Sequence, residues 1–194
     1  MRFVLASRNR GKLKEMAGLL EGLGVEIVLQ SELGLDVEVE ETGETFQDNA
    51  RLKARAVMET SGLPAIADDS GLCVDALGGG PGVYSARYGG DITDEEKVQL
   101  LLNNMRGAPT RAAHFACAIV CAFPDGTELT AEGRVDGSIA YAPAGSDGFG
   151  YDPVFFYPPA ARTFAQMTRE EKAAVSHRGS ALRVFAEQLK THLQ

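Results

Sequence analysis

Two adjacent carboxylates follow a short apolar run in this chain. Residues 65–67 read Ala-Ile-Ala and are followed by Asp68, Asp69 and Ser70. An apolar strand that ends in acids places them at the carboxyl edge of a sheet, where α/β proteins bind their ligands. Because neighbouring strand residues point to opposite faces, we expect only one of the aspartates to face a site directly. The alternative is a turn in which Asp and Ser bond to local backbone N–H groups.

A second acidic segment precedes this one in the sequence. Residues 35–40 alternate between apolar and acidic side chains, which predicts a strand with one acidic face that ends at Glu40. A Mg²⁺ ion needs only one or two carboxylates besides substrate phosphates, and Glu40 with Asp69 can supply them. A solvated edge strand that is protected by its charges is the alternative.

The turn after the first predicted strand combines small polar and basic residues. It comprises Ser7, Arg8, Asn9, Arg10, Gly11 and Lys12. Such a turn before a helix offers backbone N–H groups, the positive helix end and basic side chains to an anion. It predicts a phosphate-binding turn, although its spacing matches neither the P-loop nor the dinucleotide fingerprint. A capped helix with solvated basic residues is the alternative.

A lysine lies within the apolar stripe of the second predicted helix. At about 100° per residue, Lys53 shares a face with Phe46, Ala50 and Val57, and Asn49 lies beside it. Burying an unpaired ammonium group costs too much free energy. Lys53 therefore either extends to the helix edge or pairs with an anion.

Glycines flank an aromatic residue near residue 150. Phe149 follows Gly148 and precedes Gly150, Tyr151 and Asp152. Small neighbours leave the face of the Phe149 ring accessible, which suits stacking on a planar base. Asp152 can accept a hydrogen bond from a ring or a sugar. A packed phenylalanine in an ordinary glycine-rich loop is the alternative.

Polar donors also gather near the start of the last predicted helix. Lys172 precedes Ser176, His177 and Arg178. Donors at a helix N-terminus suit a ligand that is rich in oxygen atoms. A single histidine in such a place is more often a cap or a surface group.

The predicted elements that position these residues indicate an α/β fold with a mixed sheet. Parallel βαβ units come first, and a long antiparallel hairpin that can form its own lobe follows. Capping-box patterns predict helices that begin after residues 45, 93 and 168. We predict strands at residues 2–6, 25–29, 35–40, 65–68, 72–76, 112–123 and 127–139. We predict helices after the first strand, from residue 45 to about 62, after residues 93 and 168, and from about residue 177.

Composition bounds the rest of the interpretation. The 194 residues are 44% hydrophobic and 24% charged, which predicts one globular domain over residues 1–194. The formal charge of −8 leaves no basic face for a nucleic acid, and no apolar run is long enough for a membrane span. Three cysteines without zinc-site spacing predict reduced thiols. We therefore expect a cytoplasmic protein with no nucleic-acid or membrane partner.

Taken together, these segments resemble the inosine triphosphate pyrophosphatase family, whose members hydrolyse ITP, dITP and XTP to the monophosphate and pyrophosphate. The matching segments run in family order over nearly the whole chain. They are S-R-N-R-G-K, E-E-T-G-E-T-F-Q-D-N-A, K-A-R at residues 53–55, A-I-A-D-D-S-G-L, P-G-V-Y-S-A-R-Y, G-F-G-Y-D-P-V-F and S-H-R-G.

The resemblance implies a role for each matching residue. It implies that Ser7, Asn9 and Lys12 in the turn 7–12 bind the triphosphate. Lys53 would face the same phosphate groups. The resemblance assigns Mg²⁺ to Glu40 and Asp69, and proton transfer from water to Asp69, with Asp68 kept as the alternative acceptor. On the nucleoside side, it assigns substrate contacts to Ser70, Phe149, Gly150, Tyr151, Asp152, Lys172, His177 and Arg178.

The same resemblance implies an elongated sheet, two lobes around a central cleft, and a homodimer. Donors from His177 or Arg178 to O6 would favour a 6-oxo purine over adenine, because a buried amino group there would lack a partner. Two other functions stay open: a pyrophosphatase for modified pyrimidine nucleotides and a non-catalytic nucleotide sensor.

Overall fold

The computed structural model describes the backbone of residues 1–194 and all side chains except those of Glu15 and Leu19. Seven strands form one mixed sheet in the order β2-β1-β3-β4-β5-β6-β7. β1 pairs in parallel with β2 and β3, whereas β6 pairs antiparallel with β5 and β7. The strands are β1 (Arg2–Leu5), β2 (Glu26–Leu29), β3 (Ala65–Val74), β4 (Ala112–Ala122), β5 (Glu128–Ile139), β6 (Phe155–Tyr157) and β7 (Arg162–Thr163). The predicted α/β class with a mixed sheet is confirmed.

Five α-helices accompany the sheet in the described backbone. The hydroxyl of Thr45 caps α2, and both Thr93 and Thr168 form the predicted capping boxes of α3 and α4. Gly62 ends α2 in the left-handed conformation, with φ +68°, which a glycine adopts without strain. The helices are α1 (Arg10–Leu19), α2 (Phe46–Ser61), α3 (Asp94–Asn104), α4 (Arg169–Val175) and α5 (His177–His192). Within the described part of the chain, no helix is long and apolar enough to cross a membrane.

The chain divides into two compact units, each with its own core. Unit 1 comprises Met1–Asp69, Cys117–Gly133 and Ser180–Gln194, and unit 2 comprises Ser70–Ala116 and Arg134–Gly179. In unit 1, apolar side chains of β1, α1, β4 and α5 pack together. In unit 2, those of β3, α3, β4, β5 and β6 do so. The division into two units does not test the prediction of one domain over residues 1–194, which stays a prediction.

Three predicted strands differ from the structure. β3 runs without interruption over Ala65–Val74, so residues 65–68 and 72–76 do not form separate strands joined by a Ser-Gly turn. Residues 35–40 belong to no strand. Their apolar side chains are nevertheless half-buried and their acidic ones exposed, so the predicted alternation holds without a ladder of hydrogen bonds. Backbone and side-chain contacts from Gln30 to Leu35 and Val37 hold this segment beside the strands.

The long hairpin does not form a lobe of its own. β4 and β5 each contribute residues to both units, since the units change at Ala116–Cys117 on β4 and at Gly133–Arg134 on β5. Both strands are longer than ten residues, and each buries apolar side chains in both cores. Strands of this length therefore supply two cores, which the alternation of residue types alone does not reveal.

Candidate active site

A lysine between two carboxylates forms the centre of the candidate site in unit 1. The Lys53 Nζ atom on α2 lies 2.9 Å from Glu41 Oε1 and 3.0 Å from Asp69 Oδ1 on β3. The side chains of Lys53 and Asp69 are only 19% and 12% exposed. Of the two readings of Lys53, pairing with anions is therefore the one that the structure supports.

Burial and charge act against each other in this cluster. Burial alone would lower the pKa of Lys53, but the charges of Asp69 and Glu41 outweigh it and the pKa lies above its usual range. Burial raises the pKa of Asp69, although the Lys53 charge opposes this shift. Asp69 is therefore a stronger base than an ordinary aspartate, while Lys53 keeps its positive charge.

Asn49 fixes the second carboxylate oxygen of Asp69. The Asn49 side chain is completely buried, and its Nδ2 donates to Asp69 Oδ2 at 3.3 Å. Its Oδ1 accepts a hydrogen bond from the backbone N–H of Gly43 at 2.8 Å. Asn49 thus links Asp69 to the segment that carries Glu41. Neither Asn49 nor Glu41 was among the predicted site residues, although Asn49 precedes Lys53 by one helical turn on the same face.

The close approach of Gly43 to α2 gives a first testable prediction. A Cβ atom at Gly43 would lie 2.6 Å from Asp48 Cβ and 2.7 Å from Asn49 Oδ1. We expect Gly43→Ala to lower the free energy of unfolding by about 1–3 kcal/mol, because the backbone must move away from the helix. Urea unfolding measures this change.

The matched control is Gly18→Ala in α1, where the added Cβ would meet no described atom within 4 Å apart from its chain neighbours and the nearby backbone of its own helix. Alanine favours a helix more than glycine does, so this variant should gain about 0.5–1 kcal/mol. Equal stability of both variants would contradict the close packing at Gly43.

A second lysine in unit 1 pairs with the other aspartate of β3. Lys12 Nζ on α1 lies 2.8 Å from Asp68 Oδ1, and the Asp68 side chain is 4% exposed. Asp68 and Asp69 therefore contact different lysines, in line with the alternation of side chains along a strand. Burial of Asp68 beside Lys12 leaves Asp69 as the more accessible of the two carboxylates.

In the predicted phosphate-binding turn, the side chains of Ser7 and Asn9 bond to backbone N–H groups at the start of α1. Asn9 caps α1, because its Oδ1 accepts from the N–H groups of Gly11 at 2.8 Å and Lys12 at 3.3 Å. Ser7 Oγ accepts from the Asn9 N–H at 3.0 Å. The helix end is thus capped in the described conformation, as in the alternative reading. An anion there must share these N–H groups with Asn9.

Two arginines of the same turn are exposed to solvent. Arg8 contacts the carboxylates of Asp36 and Glu38, the latter at 3.1 Å. Arg10 begins α1 on the surface. The contacts of Arg8 therefore connect the turn to the acidic segment that follows β2.

Glu40, the predicted metal ligand, is exposed, whereas its neighbour Glu41 faces Lys53. Among the described side chains, no group of three or more His, Cys, Asp or Glu residues can hold a metal ion. A Mg²⁺ ion that binds together with phosphates needs fewer protein ligands than this, usually one or two carboxylates. The oxygen donors near Asp69 are of the type that Mg²⁺ prefers.

Unit 2 holds a second cluster, which is built around an exposed aromatic ring. Phe149 is 61% exposed. The Lys172 Nζ lies 4.7 Å from the centroid of its ring, and the Arg178 guanidinium lies 5.8 Å from it. Lys172 also pairs with the buried Asp152, whose Oδ2 accepts the Phe149 N–H at 2.9 Å. An open ring next to two cations suits a planar, electron-rich ligand.

The remaining predicted residues of unit 2 lie deeper. The His177 ring is 7% exposed and stacks on Phe115 at a centroid distance of 4.7 Å. Tyr151 is 5% exposed, and its hydroxyl donates to the backbone carbonyl of Ser85. A ligand at this loop would therefore meet the backbone of Tyr151 rather than its ring. Ser70 Oγ accepts a hydrogen bond from Arg178 at 3.4 Å.

The fold and the two clusters define an α/β protein with paired lysines and carboxylates in one unit and an exposed aromatic ring beside cations in the other. The chain belongs to the Ham1 family, because a model of this family matches residues 3–188.

Curated relatives match the chain over nearly its full length. A protein of Shigella flexneri named dITP/XTP pyrophosphatase is 52% identical over 192 residues, which cover 96% of this chain and 97% of the relative. A protein of Escherichia coli K12 with the same name is 51% identical over the same shares of the two chains.

Solved structures agree with the fold. A HAM1 protein from Coxiella burnetii superposes with a TM-score of 0.91 at 44% identity, covering 100% of this chain and 98% of that one. A structure from Mycobacterium abscessus, named nucleoside-triphosphatase or dITP/XTP pyrophosphatase, gives a TM-score of 0.80 at 48% identity, covering 95% and 98%. The resemblance to the pyrophosphatase family that the sequence motifs suggested is confirmed.

Proposed function

We propose that this chain hydrolyses dITP, ITP and XTP to the nucleoside monophosphate and pyrophosphate, and so removes deaminated purine nucleotides from the precursor pool. The observation that carries the proposal is the contact of Lys53 with both Asp69 and Glu41, in a chain 52% identical to a protein named dITP/XTP pyrophosphatase. Such an enzyme is a hydrolase that acts on acid anhydrides.

Asp69 is the proposed proton acceptor. In this reaction water attacks phosphorus, one water proton passes to the Asp69 carboxylate, and the anhydride bond to pyrophosphate breaks. A base must be ionised and yet strong enough to take the proton, and burial raises the pKa of Asp69 toward that range. Lys53 and Asn49 hold one carboxylate oxygen each, which fixes the orientation of the base.

Lysine charges are the proposed partners of the triphosphate. Phosphoryl transfer relies on positioning and on neutralisation of the phosphate charges, without a need for a covalent nucleophile. Lys12 and Lys53 carry these charges within unit 1, together with the turn 7–12. Each of the two lysines is held by an aspartate of β3, so its ammonium group is already positioned before an anion binds.

Mg²⁺ is the proposed cofactor, with Asp69 and Glu40 as its protein ligands. Glu41, which contacts Lys53, is the acidic neighbour that can share this role. When bound, the ion supplies positive charge that offsets the phosphates and the net charge of −8 of the chain. The site residues are oxygen donors, and their number is sufficient for an ion that keeps waters and phosphates as further ligands.

The cluster around Phe149 is the proposed nucleoside site. Its exposed ring can stack on a purine, and Arg178 and Lys172 can donate to the O6 atom or to other oxygens. Asp152 is held by Lys172 and by the Phe149 N–H, so it shapes the loop as well as offering an acceptor.

We also propose that the chain acts in the cytoplasm, as a homodimer.

A substrate panel tests the proposal. The purified chain is incubated with ITP, dITP, XTP, GTP, ATP and dTTP in the presence of Mg²⁺, and pyrophosphate release is measured for each. We expect kcat/KM for the first three to exceed that for ATP and dTTP by at least about a hundredfold, because a mismatched donor or acceptor is left unpaired.

Two outcomes of the panel would contradict the proposal. Preferred hydrolysis of modified pyrimidine nucleotides, added to the same panel, would indicate the related pyrophosphatase activity instead. Binding of nucleotides in Mg²⁺ without formation of a monophosphate would indicate a nucleotide sensor.

A further inference from the structure

The segment P-G-V-Y-S-A-R-Y, at residues 81–88, has no role in the function described so far. Its residues Gly82–Arg87 form a 3₁₀ helix in unit 2, and Ser85 at its centre is 6% exposed. The Ser85 hydroxyl accepts a hydrogen bond from the Leu72 N–H at 2.9 Å and donates to the Gly82 carbonyl at 2.6 Å. Ser85 thereby fixes this segment to β3, two residues beyond Ser70.

The same residue also holds the loop that contains Phe149. The Tyr151 hydroxyl donates to the Ser85 carbonyl at 2.9 Å, and both groups are buried. Burial raises the pKa of Tyr151, so its hydroxyl stays protonated and keeps its ability to donate. A buried carbonyl that lost this donor would keep the cost of its desolvation without compensation.

A second contact holds the loop one residue earlier. The Gly150 N–H donates to the Asp94 Oδ2 atom at 2.9 Å, and Asp94 is the first residue of α3. Gly150 has a φ of +59°, a backbone conformation that a glycine adopts without strain. The loop is therefore attached on both sides of the Gly150–Tyr151 peptide bond to parts of unit 2 that precede it by more than fifty residues.

We propose that Ser85 and Asp94 are positioning residues that hold the 149–152 loop in the shape that receives the nucleoside. They act through Tyr151 and Gly150 and do not contact the substrate themselves. This inference rests on the proposed function, since it assumes that the Phe149 cluster binds the base and the sugar. It gives the P-G-V-Y-S-A-R-Y segment a part in nucleoside binding through the carbonyl and the hydroxyl of Ser85.

The variant Tyr151→Phe tests the first contact, because it removes only one hydroxyl group. We expect the KM for XTP and dITP to rise about tenfold and kcat to stay within about twofold, since the loop positions the nucleoside and takes no part in bond breaking. The matched control is Tyr141→Phe, which removes the same hydroxyl group from a side chain of unit 2 that is 86% exposed. Its KM should equal that of the unchanged chain.

The variant Asp94→Ala tests the second contact from the surface, where folding is less at risk than in the buried pair. We expect the same pattern, a higher KM at nearly constant kcat. Glu95→Ala is its control, because it removes the same charge from the same exposed helical turn. This control should leave KM unchanged.

The outcomes separate this inference from the proposed function. If the unchanged chain hydrolyses XTP and dITP but neither variant raises KM, the positioning role is wrong and the proposed function stands. If kcat falls as far as kcat/KM in both variants, the loop acts on the chemical step and the inference is also wrong. If the unchanged chain hydrolyses none of the nucleotides, the proposed function fails and this inference fails with it.

Discussion

Asp69→Asn should reduce kcat for dITP by about a thousandfold, because the amide cannot accept the proton from water. The side chain keeps its size, and Lys53 keeps its contact with Glu41, so the variant should remain folded. We expect KM to change less than kcat, since the proton moves only in the chemical step. Initial rates over a range of dITP concentrations, with circular dichroism to verify folding, measure this effect.

The matched control for this substitution is Asp136→Asn. Asp136 is an exposed aspartate that pairs with Arg134 at 2.7 Å in unit 2. The control should retain the kcat of the unchanged chain. An Asp69→Asn variant with a similar kcat would remove Asp69 from the role of the base and would leave Asp68 as the acceptor to test.

Lys53→Met should cost both activity and stability. It leaves the partly buried carboxylates of Asp69 and Glu41 close together without the cation between them. We expect the free energy of unfolding to fall by about 2 kcal/mol, less than for a fully buried pair because these side chains retain some exposure. We expect kcat/KM to fall at least about a hundredfold, since a charge that would face the triphosphate is lost. Urea unfolding and initial rates measure the two effects.

A second substitution separates the two effects of Lys53. Adding Glu41→Gln to Lys53→Met removes one of the repelling charges, and we expect part of the lost stability to return while activity stays low. Lys190→Met, in the last turn of α5, is the control for loss of a lysine charge on an exposed surface. Full activity of Lys53→Met would show that the Lys53 charge is not needed for the reaction.

The residues of α2 illustrate what the sequence could predict. Thr45 and Gly62 mark both ends of the helix, and each contributes a local interaction that depends on its own residue type. The position of Lys53 in the apolar stripe follows from helical periodicity alone. Its need for an anionic partner follows from the cost of burying a charge. The identity of that partner required the structure, because Asp69 and Glu41 lie elsewhere in the sequence.

The resemblance to the family points to Glu40 as a site residue, whereas the alternation of buried and exposed side chains points to Glu41. Residues 35, 37 and 39 are the half-buried members of the acidic segment, and continuing the alternation places Glu41 on the same side and Glu40 in solvent. The structure follows this alternation, with Glu41 at Lys53. The alternation predicts a strand, but such a pattern requires only an extended chain with one side packed against a core.

The residues Asn49 and Ser85 show what the sequence could not predict. Both are buried polar residues whose bonds join segments that are distant in sequence, Asn49 to Asp69 and Ser85 to Leu72. Polar residues at buried positions must find such partners, but the sequence does not state which ones. Their roles depend on bonds that join α2 and the 3₁₀ helix to β3.

The most direct test of the account is to identify the products. The chain is mixed with dITP and Mg²⁺, and ³¹P nuclear magnetic resonance follows the phosphorus signals through the reaction. We predict that dITP is replaced by equal amounts of monophosphate and pyrophosphate, and that Asp69→Asn leaves dITP intact over the same period. Release of inorganic phosphate with formation of the diphosphate, or no reaction of the unchanged chain, would contradict the account.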